Sequence, residues 1–241
     1  MTSLQSCRHC NAPLPDRILD LGFAPPSNAY LSKDELSQAE VTLPLRLLLC
    51  TDCWLVQTED FTQAEQLFAS DYAYFSSTSS SWLEHARKDT AKVVDRFGLN
   101  ASSHVMEVAS NDGYLLQNFV ERGIPCVGVE PTKSTAEAAR SKGIQVEEEF
   151  FDLQFAKRLE QTYGQSDLVI GNNVYAHVPQ INDFTAGLAS SLKPNGVVTL
   201  EFPHILNLLK FNQFDTVYHE HYSYLSLHTV KTIFESHGLR I

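Results

Sequence analysis

Short apolar runs alternate with segments of helical spacing along the second half of the chain. Runs such as HVMEVAS (104–110) and PCVGVE (125–130) are typical of buried strands, whereas LQFAKRLEQTYG (153–164) repeats its apolar residues at helical spacing. Repeated strand–helix units predict a parallel sheet with helices on both faces, beginning near residue 102. The predicted strands are 104–110, 125–130, 144–148, 166–173 and 197–203, and the predicted helices are 113–123, 134–143, 153–164 and 181–196.

The loop after the first predicted strand, EVASNDGYLL (107–116), holds a single glycine, Gly113. A dinucleotide site needs several glycines there, so that backbone amides can close on the phosphates. The sequence therefore argues against NAD and favours a ligand without phosphates, such as S-adenosylmethionine. Glu107 offers a carboxylate for its amino group, and Glu130 offers an acid for its ribose hydroxyls. For Glu130 alone, the alternative is an exposed acid at a strand end. The candidate donor-binding residues are Glu107, Ser110, Asn111, Asp112, Gly113, Glu130, Pro131, Asn172 and Asn173.

Four of the five cysteines form two C-x-x-C pairs near the amino terminus. Cys7 and Cys10 make the first pair, and Cys50 and Cys53 make the second. Paired C-x-x-C units are typical of zinc sites, because zinc prefers four soft or borderline ligands in a tetrahedron. A four-cysteine site leaves no position for water, so we expect structural Zn²⁺. The alternative is four reduced thiols without metal, and Cys126 is not expected to contribute.

Composition limits the classes of partner. The chain has 241 residues, is 43% hydrophobic and carries a formal charge of −11. A general nucleic-acid binder needs a basic surface, so we expect no nucleic acid as a partner. The sequence shows no long apolar run and no signal-peptide pattern, so we expect a cytoplasmic protein with no membrane partner.

The segment VYHEHYSYLS (217–226) combines two histidines, a glutamate and three tyrosines. It is not H-E-x-x-H, so it does not predict the helical zinc pair of a protease. If the segment is a strand, His219 and His221 share one face, and Tyr218, Glu220 and Tyr222 share the other. If it is a loop, all five side chains can converge on one pocket. A third interpretation is an aromatic strand whose polar tips reach water.

Several motifs together resemble the zinc-containing, S-adenosylmethionine-dependent sugar C-methyltransferases, which methylate C3 of nucleotide-linked 4-keto-deoxysugars in deoxysugar biosynthesis. The resemblance extends over nearly the whole chain. The motifs that carry it are the two C-x-x-C pairs, LGFAPPSNAYL (21–31), PLRLLLCTDCWLVQ (44–57), DYAYFSSTSSSWLEHA (71–86), EVASNDGYLL (107–116), VGVEPTKSTAEAA (127–139), NNVYAHVP (172–179) and VYHEHYSYLS (217–226).

This resemblance implies an α/β protein with a small zinc-binding module followed by a class I methyltransferase, a Rossmann-like parallel sheet flanked by helices. We expect a zinc module at 1–70, a helical linker lining the active site at 71–101, and an S-adenosylmethionine-binding domain at 102–241. Family members carry a further C-terminal domain that completes the substrate site, and we expect this chain, which stops at HGLRI, to lack it. The usual glycine of the first-strand loop is Ala109 here.

The implied reaction needs an enolate. A base removes the C3 proton, which the 4-keto group acidifies, and the enolate attacks the sulfonium methyl group. The match to the family places the base on His221, with Tyr218 and Glu220 in the same pocket, and adds His177 and Tyr72. Tyr218 and His177 are expected to aid the enolate, and Glu220 to fix the histidine tautomer or orient the sugar. The expected substrate is a dTDP-linked sugar.

Two other functions remain open at this stage. One is a methyltransferase of the same class with another small-molecule acceptor, for which Tyr218 and His177 would be dispensable. The other is a donor-binding fragment without full activity.

Overall fold

The structure of the protein, a computed structural model, describes residues 5–28, 30–61 and 74–241. Two compact units are formed, and neither is continuous in sequence. The first comprises described residues within Met1–Leu67, Tyr175–Thr185 and Phe202–Ile241, and the second those within Phe68–Val174 and Ala186–Glu201. The linear boundaries predicted from the sequence, 1–70, 71–101 and 102–241, stay a prediction.

The bounds of the strands and helices in the described residues are as follows, in chain order. The strands are β1 (Asp16–Ala24), β2 (Leu43–Leu49), β3 (Val56–Thr58), β4 (Val105–Val108), β5 (Cys126–Val129), β6 (Gln145–Glu147), β7 (Ser166–Asn172), β8 (Leu192–Glu201) and β9 (Ser223–Tyr224). The helices are α1 (Ser80–Phe97), α2 (Gln117–Val120), α3 (Lys133–Ser141), α4 (Leu153–Tyr163), α5 (Ile181–Ser190), α6 (Ile205–Phe211) and α7 (Leu227–Glu235).

The second unit contains the predicted parallel sheet, with strand order β6-β5-β4-β7-β8. β4 lies at its centre and is buried along its whole length, including Glu107, the one acid in its otherwise apolar sequence. Strand ends coincide in pairs, with Val108 opposite Val129 and Asn172 opposite Glu201. The loops that leave the carboxyl ends of β4, β5 and β7 therefore meet at one edge, where ligands bind in sheets of this kind.

The fifth predicted strand starts earlier than its sequence suggests. The predicted helix 181–196 ends at Ser190, and β8 begins at Leu192. Leu192 pairs with Ser166, but the next pair joins Leu168 to Val197, so the residues between form a bulge in the strand. Asn195 has a φ of 69° there. The K-P-N-G sequence thus makes a turn within β8, not the end of α5.

An antiparallel sheet with the order β1-β2-β3-β9 forms the first unit. β9 comes from the far end of the chain, and Val56 of β3 pairs with Tyr224. The pairing continues beyond the strands, since Thr58 N–H donates to the Tyr222 carbonyl at 3.2 Å. The histidine-rich segment is therefore anchored to the sheet that carries the cysteines.

Among the described residues, no helix combines the length and the apolar composition needed to span a bilayer.

Ala109, which immediately follows β4, has a φ of 58° in the left-handed region. A residue with a Cβ pays roughly 1–2 kcal/mol in that region, whereas glycine does not. We predict that Ala109→Gly raises the free energy of unfolding by about 0.5–1 kcal/mol, because the greater freedom of glycine in the unfolded chain offsets part of the gain. Denaturant titration measures the change.

Ala138→Gly in α3 is the matched control. It places glycine in an ordinary helix and should lower the free energy of unfolding by about 0.5–1 kcal/mol. A loss of similar size in both variants would contradict the strain assigned to Ala109.

Candidate active site

Four cysteine sulfurs come together in the first unit, as the sequence predicts. The ligand atoms of Cys7, Cys10, Cys50 and Cys53 all lie within 4.8 Å of one another. Each pair sits in a tight knuckle closed by backbone hydrogen bonds, such as Asn11 N–H to the Cys7 carbonyl at 2.9 Å and Trp54 N–H to the Cys50 carbonyl at 2.9 Å. The two knuckles thus share one geometry and present their sulfurs to a common point.

The electrostatics of this cluster favour a cation among the four sulfurs. A hydrogen bond from the Cys53 thiol is the main cause that lowers the pKa of Cys7 to about 5, and the same contact raises the pKa of Cys53. The first thiolate therefore forms easily, and its negative charge opposes ionisation of the next thiol. A divalent ion removes that resistance, so a tetrahedral zinc ion fits the donor set, and it would be held by thiolate ligands alone.

The histidine-rich segment forms a turn, which decides between the interpretations left open above. His221 N–H donates to the Tyr218 carbonyl at 3.1 Å and closes the turn, and β9 begins only at Ser223. His219 points elsewhere, with Nε2 3.2 Å from the Pro44 carbonyl oxygen. Tyr218 and His221 converge, as the loop interpretation predicts, whereas His219 lies in the same turn but contacts the backbone of β2.

His221 has a defined tautomer. Its Nδ1 lies 2.9 Å from the Thr216 carbonyl oxygen, which can only accept, so Nδ1 carries the proton. The lone pair of Nε2 then faces the Tyr218 hydroxyl at 2.8 Å. Burial lowers the pKa of His221, so the ring stays neutral at pH values where an exposed histidine begins to charge. The result is a buried neutral base hydrogen-bonded to a phenol.

His177 lies beside this pair, with its ring centroid 4.6 Å from that of His221. Its Nδ1 donates to the Glu220 carbonyl at 2.9 Å. Burial first, and the neighbouring His221 second, lower the pKa of His177 to about 3. Its Nδ1–H is thus engaged by the backbone, and the expected role of His177 at the enolate stays a prediction.

Glu220 does not set the histidine tautomer, contrary to one expectation from the sequence. Its carboxylate accepts from Ser27 Oγ at 2.6 Å and from Asn28 Nδ2 at 3.1 Å. It thus links Ser27 and Asn28, which follow β1, to the turn, while the Thr216 carbonyl sets the tautomer of His221. Tyr72, predicted to join the site, lies outside the described residues.

A buried acidic group sits at the carboxyl end of β4 in the second unit. Glu107 is 1% exposed, and within the described part of the chain neither of its carboxylate oxygens has a hydrogen-bond partner. Ser110 Oγ and Asp112 Oδ1 are likewise buried and unpartnered there. Burial, reinforced by Glu130 and then Asp112, raises the pKa of Glu107 well above its usual range. Such a group demands donors, and an ammonium group with hydroxyls would satisfy it.

Glu130 holds the loop that carries these atoms. Its carboxylate accepts from Asn111 N–H and from Thr132 N–H, both at 2.9 Å. The second contact spans Pro131, which lies between Glu130 and Thr132 in the sequence. Asn111 has a φ of 50° and Gly113 a φ of 77°. A Cβ at Gly113 would collide with the Ile144 side chain, which explains the glycine there. The loop is thus shaped before any ligand arrives.

Asn172 and Asn173 end β7 at the same edge of the sheet. Asn172 is buried, and Asn173 N–H donates to the Glu201 carbonyl at 2.7 Å. The candidate donor residues therefore lie on adjacent loops of one unit, as predicted. Their contact with a ligand stays a prediction.

Two side-chain contacts near the carboxyl ends of these strands are not predicted by the sequence. His85 of α1 lies with Nε2 2.9 Å from a Glu201 carboxylate oxygen, and Trp82 stacks on Tyr114 with centroids 6.1 Å apart. The only sequence signal was the placement of Trp82 and His85 within one helical turn of each other, inside a recognised motif.

Comparison with known proteins gives two family matches. A family model described as "Putative zinc binding domain" matches residues 7–68, and one described as "Methyltransferase domain" matches residues 82–241. The chain belongs to the methyltransferase domain family. The sequence-based recognition of a zinc-containing methyltransferase is thereby confirmed.

Individual relatives agree with this assignment. C-methyltransferase NovU of Streptomyces niveus is 33% identical over 238 residues, which are 99% of this methyltransferase and 56% of NovU. The chain therefore spans little more than half the length of that relative. A SAM-dependent methyltransferase from Archaeoglobus fulgidus superposes with a TM-score of 0.54 at 19% identity, covering 65% of this chain and 68% of the other. YcgJ from Bacillus subtilis gives 0.50 at 17% identity, over 64% and 68%. These solved structures confirm the class I fold of S-adenosylmethionine-dependent methyltransferases.

One zinc ion per chain is the expected metal content of the purified protein. Cys50→Ser should abolish stoichiometric binding, because it removes one of four thiolates from a site without spare ligands. Cys126→Ser is the control, since this residue lies in β5 of the other unit, and it should leave the zinc content unchanged. Metal analysis by mass spectrometry measures both, and metal-free wild-type protein would contradict the assignment.

Glu107→Gln should weaken binding of S-adenosylhomocysteine about 10- to 100-fold, or about 1.5–3 kcal/mol, by removing a charged acceptor. The same change should not lower the free energy of unfolding without ligand. Its raised pKa makes burial of the carboxylate cost stability as the pH rises above the usual value of 4.5, and the amide has no such cost.

Calorimetry and denaturant titration separate these two effects. Glu121→Gln, at an exposed acid of the same unit, is the matched control and should change neither quantity. Unchanged affinity in Glu107→Gln would remove Glu107 from the donor site.

Proposed function

We propose that this methyltransferase transfers a methyl group from S-adenosylmethionine to C3 of a dTDP-linked 4-keto-deoxysugar through an enolate. The observation that carries the proposal is the Tyr218–His221 pair, with 2.8 Å between the hydroxyl oxygen and Nε2 of the buried His221. Its similarity to NovU, whose name is C-methyltransferase, supports carbon as the methylated atom. The motifs shared with sugar C-methyltransferases support the sugar.

His221 is the proposed base. The Thr216 carbonyl holds its Nδ1–H, so Nε2 is the atom that receives the C3 proton. A carboxylate of ordinary pKa is too weak for this proton, whereas imidazole is matched to neutral pH. Burial keeps the imidazole neutral and therefore basic before substrate binds.

Tyr218 is the proposed donor to the enolate oxygen. In the present structure its hydroxyl donates to His221 Nε2. When a 4-keto sugar enters, the hydroxyl turns to the C4 oxygen and releases the Nε2 lone pair for the adjacent C3 proton. One rotation thus supplies both the acid and the base that enolate formation needs.

His177 serves the base indirectly in this proposal. Its neutral ring, 4.6 Å from His221, adds no positive charge beside the base. After C3 is deprotonated, the His221 imidazolium faces a neutral neighbour. In this form His177 aids enolate formation, as the sequence-based expectation has it.

S-adenosylmethionine, when bound, supplies an electrophilic methyl group for the enolate carbon. Glu107, Ser110 and Asp112 would hold its amino-acid end, because their buried oxygens lack partners among the described residues. Glu130 would accept from the ribose hydroxyls through the lone pairs that its two backbone contacts leave. Pro131, Asn172 and Asn173 complete the proposed donor site.

Deuterium exchange at C3 tests the base without methyl transfer. The protein is incubated in deuterated water with S-adenosylhomocysteine and a panel of dTDP-linked 4-keto-deoxysugars, and NMR follows loss of the C3 proton. Wild-type protein should accelerate exchange, and His221→Asn should slow it about 10²-fold or more, as expected for loss of a general base. Because the pKa of His221 is lowered, the wild-type rate should hold from about pH 7 to about pH 6.

His228→Asn, at an exposed histidine of α7, is the control and should exchange at the wild-type rate. Binding of S-adenosylhomocysteine should be equal in all three proteins, because the base contacts the sugar. Equal exchange in wild type and His221→Asn would assign the base elsewhere. No exchange with any keto sugar, together with methylation of an oxygen or nitrogen acceptor, would favour another small-molecule substrate.

A further inference from the structure

Arg8 lies inside the first cysteine knuckle and is buried despite its charge. Its side chain is only 4% exposed, and the neighbouring residues Cys7 and Cys10 are zinc ligands. A zinc knuckle needs no arginine at this position, because the sulfurs and the backbone complete it. A guanidinium is rarely buried unless its donors are used, so its partners indicate what it holds.

The guanidinium of Arg8 joins three separate segments of the first unit. Nη1 donates to the Pro179 carbonyl at 3.1 Å, and Nη2 donates to the Thr58 carbonyl at 3.3 Å and to Asp60 at 2.7 Å. Its Cζ also stands 5.3 Å from the centre of the Tyr222 ring. One side chain therefore contacts the loop after β7, the end of β3 and the histidine-rich turn.

Each of these contacts leads to one of the paired histidines. Pro179 follows His177 by two residues, and Tyr222 is adjacent to His221. Thr58 reinforces the second connection, since its Oγ1 donates to the His221 carbonyl at 3.3 Å. The short separation of the two imidazoles thus depends on two backbone segments that meet at Arg8.

The knuckle makes a second contact with the His177 segment. Asn182 lies 2.7 Å from His9 Nδ1 through Oδ1 and donates through Nδ2 to the His9 carbonyl at 2.8 Å. The backbone of Arg8 is itself fixed, because its N–H donates to Gln57 at 3.0 Å. Arg8 and His9, which lie between the metal ligands Cys7 and Cys10, therefore hold the His177 segment through Pro179 and Asn182.

We propose that Arg8 is a positioning residue that sets the geometry of the His177–His221 pair, and that the zinc knuckle acts on catalysis through it. The proposal rests on the function assigned above to His221. Arg8 contacts neither the donor nor the reacting carbon in this proposal. Its role is to hold the two segments so that His221 Nε2 stays aligned with the Tyr218 hydroxyl.

The geometry calls for arginine and not lysine. Three oxygen acceptors and one aromatic face surround a planar group that presents five N–H donors in a fixed fork. Lysine keeps the charge but places it at a single point, so it cannot reach Pro179 and Thr58 together. Arg8→Lys therefore separates the positioning role from the charge.

The test compares Arg8→Lys with Arg46→Lys in the full zinc-loaded chain. Arg46 is a matched control, because it lies in β2 of the same unit and forms ion pairs with Asp20 and Glu59. Three quantities are measured: zinc content, the ¹⁵N resonances of the histidine imidazoles, and deuterium exchange at C3 of the keto sugar. Assignment of the resonances uses His177→Asn and His221→Asn.

Arg8→Lys should keep one zinc ion and a cooperative unfolding transition. The imidazole resonances of His177 and His221 should shift, and C3 exchange should fall about 10²-fold, the scale for a small misplacement of a catalytic group. Arg46→Lys should leave all three quantities at their wild-type values. Unshifted resonances in folded, zinc-loaded Arg8→Lys would overturn the proposal.

Two further outcomes keep the test decisive. If Arg8→Lys does not fold, Asp60→Ala removes a surface partner of Arg8, and the same resonances should move by a smaller amount; no movement would overturn the proposal. If the resonances shift but wild type exchanges no keto sugar, the assigned function fails while the positioning role stands. If wild type exchanges the C3 proton but the resonances do not shift in Arg8→Lys, the assigned function stands and the positioning role of Arg8 fails.

Discussion

Four thiol groups within 4.8 Å of one another cannot all ionise unless a cation lies among them, and this constraint governs the first unit. Its sheet is small, and its fourth strand is two residues long. A core of this size offers limited apolar burial, so metal binding contributes directly to its folding free energy. The turn that carries Tyr218 and His221 pairs with this sheet, and Arg8 lies between the ligands. The proposed base therefore depends on the metal site even though no zinc ligand takes part in proton transfer.

The second unit follows a different physical rule. Its parallel sheet buries apolar strands on both faces, and several left-handed residues and unpaired polar atoms lie in the loop that follows β4 and at its carboxyl end. Ala109, Asn111 and Gly113 all have positive φ there, and Glu107 lacks a partner among the described residues. Free energy from the buried sheet stabilises a loop that would be unfavourable alone.

Much of this arrangement could be predicted from the sequence. Alternation of apolar runs and helical spacing predicts the parallel sheet, because strands buried on both faces cannot contain polar residues at every second position. Spacing alone predicts the cysteine cluster, and the single glycine of the β4 loop predicts a donor without phosphates. These signals are local, so they need no knowledge of how distant segments pack.

Contacts between distant segments were beyond such reasoning. Nothing local indicates that Glu220 accepts from Ser27, that the Thr216 carbonyl fixes the tautomer of His221, or that Arg8 reaches Pro179. The turn within β8 was mistaken for a helix end, because K-P-N-G stops a helix and also bulges a strand. The sequence does not predict the pairing of β9 with β3 either, because β9 has only two residues and so shows no hydrophobic periodicity.

The pairing of Val56 with Tyr224 also determines when the first unit can be completed during synthesis. Both cysteine knuckles emerge early from the ribosome, but the strand that covers the open edge of β3 lies near the other end of the chain. At ordinary elongation rates this edge stays uncovered for roughly 10–30 s. An unpaired strand edge recruits other strands, so a newly made chain is prone to aggregate until β9 pairs with β3.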